Sequence, residues 1–154
     1  MFRSSLYPHA MSDPYLATNS FEFDLSRIGD AADIVLKAAG GRKVWLFFGE
    51  PGAGKTTLIT TLIEKMGGDP RLVNSPTFAI MNRYETKIGP VNHFDLYRTK
   101  SKLELLDLGL VEFLESGHYC FIEWPERLED LKPEQCVEVF LEHRSAEMRM
   151  VRVQ

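Results

Sequence analysis

The chain has 154 residues, 44% hydrophobic and 26% charged, with a formal net charge of −4 and a pI near 5.6. That size and composition fit one globular domain with a proper core, and the acidic balance argues against a protein that grips nucleic acid with its whole surface. No run of 18 apolar residues is present, so no transmembrane helix is expected, and the two cysteines sit in apolar, strand-like runs that suggest buried free thiols in a cytosolic protein.

Residues 1–20 carry two prolines and several serines without the apolar stretch of a secretory signal. They read as a flexible leader, with Met11 a second candidate start, ahead of a single domain over residues 21–154. Phe21-Glu22-Phe23 alternates like a short strand, with Asp24 and Ser26 as candidate helix caps. The i, i+3, i+4 spacing of Ile28, Ala31, Ala32, Val35, Leu36 and Ala39 predicts a helix that Gly40-Gly41 ends.

Val44-Trp45-Leu46-Phe47-Phe48 is a continuous apolar run, the pattern of a strand covered on both faces. It leads into Gly49-Glu50-Pro51-Gly52-Ala53-Gly54-Lys55-Thr56, which matches G-x-x-x-x-G-K-[ST], a phosphate-binding loop, followed by Thr57. Its glycines allow a tight turn that aims backbone N–H groups at phosphate oxygens. Lys55, a solvated side chain on this reading, reaches the β- and γ-phosphates, and the Thr56 hydroxyl ligates Mg²⁺. Leu58, Leu62 and Met66 then share one helical face, and Gly67-Gly68 stop the helix. Strand, loop and helix together make a nucleotide site of residues 50–57, with the helix N-terminus adding partial positive charge.

Ser75-Pro76-Thr77 lies where switch loops of such enzymes place a hydroxyl near the γ-phosphate, although the tripeptide alone would pass as a turn. Phe78–Tyr84 and Val91–Phe94 read as an antiparallel hairpin. Ser101-x-x-Glu104 is a capping box opening a short helix, and a second runs over about 110–115. Tyr119-Cys120-Phe121-Ile122 is another buried strand, ending in Glu123-Trp124-Pro125. Residues 137–143 and 148–153 form a last hairpin. The order implies an α/β fold, a P-loop three-layer sandwich with parallel core strands and antiparallel hairpin additions.

A nucleotide site needs an acid for Mg²⁺ and a group to orient water. Glu123 and Asp95 both end strands where such an acid belongs, against the commoner case of a strand-end carboxylate meeting water. Trp124 either covers a nucleotide or packs. His93, lone in an apolar strand, reads as a hydrogen-bonded core residue rather than a base. Asn92-His93-Phe94-Asp95 has the ends of a guanine-reading N-K-x-D motif without its lysine, which favours ATP over GTP. Arg71, Arg83 and Arg98 are scattered rather than clustered in a lid, which argues against a small-molecule kinase. The other alternative is a nucleotide-gated binding module without turnover.

Four segments taken together, Gly49 to Thr57, Ser75-Pro76-Thr77-Phe78, His93-Phe94-Asp95-Leu96-Tyr97-Arg98 and Glu123-Trp124-Pro125, resemble the TsaE family (formerly YjeE) over about residues 21–153. These are small bacterial P-loop ATPases of tRNA N6-threonylcarbamoyladenosine synthesis. The resemblance implies slow Mg²⁺-dependent ATP hydrolysis and association with the TsaD–TsaB pair, which carries out the group transfer, so that tRNA is met indirectly. It further implies that Thr56 and Glu123 hold Mg²⁺, Lys55 the phosphates, that Asp95 supports hydrolysis, and that Thr77 is the switch hydroxyl.

Overall fold

The computed structural model describes residues 19–76 and 78–154. The expected leader, apart from its last two residues, and Thr77 therefore lie outside the described residues.

Seven strands form one sheet: β1 (Ser20–Phe23), β2 (Val44–Phe48), β3 (Met81–Tyr84), β4 (Val91–Asp95), β5 (Tyr119–Glu123), β6 (Val137–His143) and β7 (Arg149–Val153). Their spatial order is β1-β7-β6-β2-β5-β4-β3. The inner four, β6, β2, β5 and β4, pair in parallel, while β7, β1 and β3 add antiparallel at the edges.

Helices cover both faces, and the alternation of side chains along each strand assigns residues to one side or the other. On one face α1 (Ile28–Ala39) and α2 (Lys55–Lys65) close over Trp45, Phe47, Phe121, Val137 and Val139. Leu58, Ile59, Leu62 and Ile63 of α2 are fully buried, each contributing roughly 1.5–3 kcal/mol by leaving water. On the other face the short helices α3 (Lys102–Asp107) and α4 (Leu110–Glu115) bring Leu105 and Leu110 onto Val44, Leu46, Phe94 and Ile122. Two-sided cover is why β2 reads as an unbroken apolar run.

Two details differ from the expected elements. The strand expected from Phe78 starts only at Met81: Phe78 is 86% exposed in a turn, and Ile80 takes φ 67°, a left-handed conformation that a β-branched residue adopts only under constraint. In the expected capping box Ser101 Oγ accepts from the Glu104 N–H at 3.3 Å, but Glu104 returns to the Lys100 N–H, one residue early. Both cysteines are buried and free, and burial pushes the Cys120 thiol up to about 11.

Candidate functional site

The site lies where the C-terminal ends of β2, β4 and β5 meet the N-terminus of α2, the usual ligand position in a parallel sheet. Turning the chain from β2 into α2 within a few residues requires glycine at two points. A Cβ on Gly49 would stand 2.7 Å from the Leu141 backbone oxygen of β6, and Gly54, which caps α2, sits at φ 103°.

Lys55 opens α2 and, contrary to the expectation of a solvated side chain, is only 6% exposed. Its Nζ donates to the Gly49 and Glu50 carbonyls and lies 4.7 Å from the Trp124 ring centroid. Burial pulls its pKa down, and the surrounding carboxylates, Glu123 first, oppose that.

Parallel pairing of β4 with β5 sets Asp95 directly beside Glu123. Thr56 Oγ1 donates to Glu123 Oε1 at 2.9 Å, and His93 Nε2 contacts the same oxygen at 3.0 Å. Asp95 Oδ2 accepts from Ser75 Oγ at 2.8 Å, and Oδ1 from the Tyr97 N–H at 3.0 Å. Ser75 and Asp95 thus tie the loop after α2 to the end of β4. Thr56 and Glu123 offer hard oxygen donors side by side next to the phosphate loop, a set that fits Mg²⁺, which takes few protein ligands.

Trp124 follows Glu123 at φ 58°, ψ 51°, ahead of Pro125, and its ring tilts against Tyr97 at 4.8 Å. Holding a tryptophan in this left-handed conformation costs roughly 1–2 kcal/mol. The strain places an aromatic face over Lys55, so Trp124 both packs and borders the cleft. The expected site residues Pro51, Gly52, Gly54, Lys55, Thr56, Thr57, Asp95, Glu123 and Trp124 all line one open cleft of about 490 Å³, together with Ser75 and Tyr97. Glu50 and Ala53 belong to the same loop but stand outside that lining; Ala53 is buried and borders the adjoining cleft instead.

A second cleft of about 510 Å³ adjoins the first across Gly52, Gly54 and Thr57. Phe23, Leu25, Ser26 and Ile28 form one wall, and Ala146, Glu147 and Arg149 the other. Sequence reasoning missed this recess because its walls come from opposite ends of the chain; the exposed Leu25 beside a cap was the only local signal.

His93 is fully buried, as a core histidine should be, but its partner is Glu123. Asn92 is also fully buried and, by the alternation along β4, lies on the opposite face from His93 and Asp95. Arg71 pairs with Asp69, Arg83 with Glu85, and Arg98 stacks on Phe78; none of the three lines the cleft beside Lys55.

This sheet order, with a glycine loop between β2 and α2 facing two strand-end acids, defines a P-loop NTPase-like fold. The crystal structure of Bacillus subtilis YdiB shares the fold, with TM-score 0.64 at 22% identity over 87% of this chain and 84% of that one. The family profile described as threonylcarbamoyl adenosine biosynthesis protein TsaE matches residues 21–151, and the chain belongs to that family. Among relatives carrying the name tRNA threonylcarbamoyladenosine biosynthesis protein TsaE, the one from Haemophilus influenzae is 32% identical over 79% of this chain and 78% of its own length. The Bacillus subtilis protein is 34% identical over 67% of this chain, a match that spans 63% of that protein.

Proposed function

We propose that the chain is a Mg²⁺-dependent ATPase that serves N6-threonylcarbamoyladenosine formation in tRNA, working with a TsaD–TsaB pair. The observation that carries the ATPase reading is the cluster of Lys55, Thr56 and Glu123 at the phosphate loop, with Thr56 and Glu123 2.9 Å apart. The names of the relatives support the tRNA pathway.

On this reading the phosphates lie on the loop N–H groups and the α2 N-terminus, and the base and ribose enter the adjoining recess between Leu25 and Arg149. Lys55 exchanges its two loop carbonyls for phosphate oxygens. Thr56 and Glu123 hold the cation, which when bound neutralises charge developing on the phosphates. Asp95 positions the attacking water, and the bond it accepts from Ser75 ties it to the segment after α2; Thr77, two residues further along the sequence, is the switch hydroxyl of this proposal. Trp124 shields Lys55 from solvent and so strengthens its electrostatic contacts.

The testing experiment titrates the full chain with ATP, ADP and a non-hydrolysable analogue, with and without Mg²⁺, then measures complex formation with purified TsaD–TsaB in each state. The expected result is Mg²⁺-dependent binding and an ATP-favoured complex. No nucleotide binding, or binding indifferent to Mg²⁺, overturns the proposal.

A further inference from the structure

His93 has no part in the scheme above, yet it occupies the interior position directly behind Glu123. One edge of its ring meets Glu123 Oε1 at 3.0 Å. At the other edge, Nδ1 is 3.5 Å from the hydroxyl oxygen of Tyr84, itself buried on β3. That hydroxyl donates to the Asn74 carbonyl at 3.0 Å and accepts from the Asn74 N–H and Asn82 Nδ2, each at 3.3 Å. Asn74 is the residue before Ser75, whose side chain reaches Asp95. A chain of contacts therefore runs from the loop after α2, through the interior, to the acid beside Thr56.

The hydrogens in this chain can be counted. A carboxylate only accepts, so the hydrogen facing Glu123 belongs to Nε2, and in the neutral ring Nδ1 is then an acceptor. Tyr84 has one hydroxyl hydrogen and two acceptors within reach. The Asn74 carbonyl, 0.5 Å closer than Nδ1 (3.5 − 3.0), takes it here. If the loop carries that carbonyl away, the hydrogen turns to Nδ1. A donor at Nδ1 polarises the ring and makes Nε2–H a stronger donor to Glu123, because hydrogen bonds in series reinforce one another. Glu123 Oε1 is then held more tightly by the ring and is less available to Thr56 and a cation.

We infer that Tyr84 and His93 are positioning residues forming a hydrogen-bond relay, through which the Asn74–Ser75 loop sets how freely Glu123 serves the metal site. Only its last link rests on the proposed role of Glu123. The inner links are a property of the protein without nucleotide.

The test uses ¹⁵N-labelled full-length protein without ligand, with His93→Gln to assign the His93 ring among the four histidines. The expected spectrum has hydrogen on Nε2. Ser75→Ala, which cuts the loop's bond to Asp95, moves the His93 Nδ1 resonance while leaving His118 and His143 in place, and Tyr84→Phe, which keeps the ring in the core, cancels that movement in the double variant. In a second arm, Tyr84→Phe shifts the Mg²⁺ concentration for half-maximal ATP binding by roughly 3–10-fold, somewhat less than typical for direct partners of metal ligands. In a His93→Gln background it produces no further shift. An unmoved Nδ1 resonance overturns the relay. A moved resonance with an unchanged Mg²⁺ midpoint, or additive effects in the double variant, overturns the coupling to the metal acid. Failure of the wild type to bind Mg²⁺–ATP overturns the ATPase reading instead, and the ligand-free spectra still decide the inner links.

Discussion

Lys55 is held by two backbone carbonyls and an aromatic face, so its removal is felt with and without nucleotide. Lys55→Ala is expected to weaken ATP binding roughly ten- to hundredfold, the loss of a charge-assisted contact of about 1.5–3 kcal/mol. Because the side chain is buried rather than solvated, the ligand-free melting temperature also moves, which calorimetry of the same variant records. Unchanged ATP affinity would place the phosphates elsewhere. The two acids separate by partner. Glu123→Gln keeps an oxygen for Thr56 but is a poorer ligand for a hard cation, so the Mg²⁺ requirement for binding rises. Asp95→Asn leaves binding nearly intact and slows hydrolysis, as expected for a group acting in the transition state. Magnesium titrations and single-turnover rates on both variants check this, and a reversal would mean that the roles are exchanged.

At the scale of elements, the contact of the P-loop with β6 is unusually close. Gly49→Ala drives a Cβ to 2.7 Å from the Leu141 carbonyl, a backbone atom that cannot rotate away. The cost is expected at about 1–3 kcal/mol, read by urea denaturation, with nucleotide binding lost in parallel as the loop lifts. On β5, burial raises the Cys120 thiol from its ordinary 9.0 to about 11. The unfolded chain gives up this proton first, so stability is fully present below pH 9 and falls as pH rises from 9 to about 11. The loss is about 2–3 kcal/mol, and Cys120→Ala should flatten that part of the curve. The elements themselves were largely legible. The β2 run and the G-x-x-x-x-G-K-T spacing are local signals, and Asp95 and Glu123 could be placed because each ends a strand. Phe78 to Ile80 misled because an apolar triplet looks like a strand, whereas tertiary constraint holds it as a turn with Ile80 left-handed. The partner of His93 and the recess between Leu25 and Arg149 depend on strand register and on the meeting of distant segments, which no local pattern encodes.

For the molecule as a whole, the proposed ATPase lacks an arginine at its phosphate cleft among the described residues. An arginine supplied by a partner raises turnover of P-loop enzymes by about 10³–10⁵. The chain is accordingly expected to hydrolyse ATP slowly alone and faster when TsaD–TsaB is added. Steady-state rates with and without the pair check this; equal rates would leave the partner no role in the chemistry. By linkage, a partner that prefers the ATP form must tighten ATP over ADP by the same factor.

The strand order also governs how the chain is made. β2 ends at Phe48, but the strands on either side of it, β5 and β6, begin only at Tyr119 and Val137. While the ribosome synthesises the intervening segment, Val44-Trp45-Leu46-Phe47-Phe48 has emerged with neither neighbour to pair with, an apolar strand with both edges open. Such long-range parallel pairing is slow and exposes the nascent chain to aggregation. The phosphate loop therefore takes its final shape only late in translation, after most of the protein has been made.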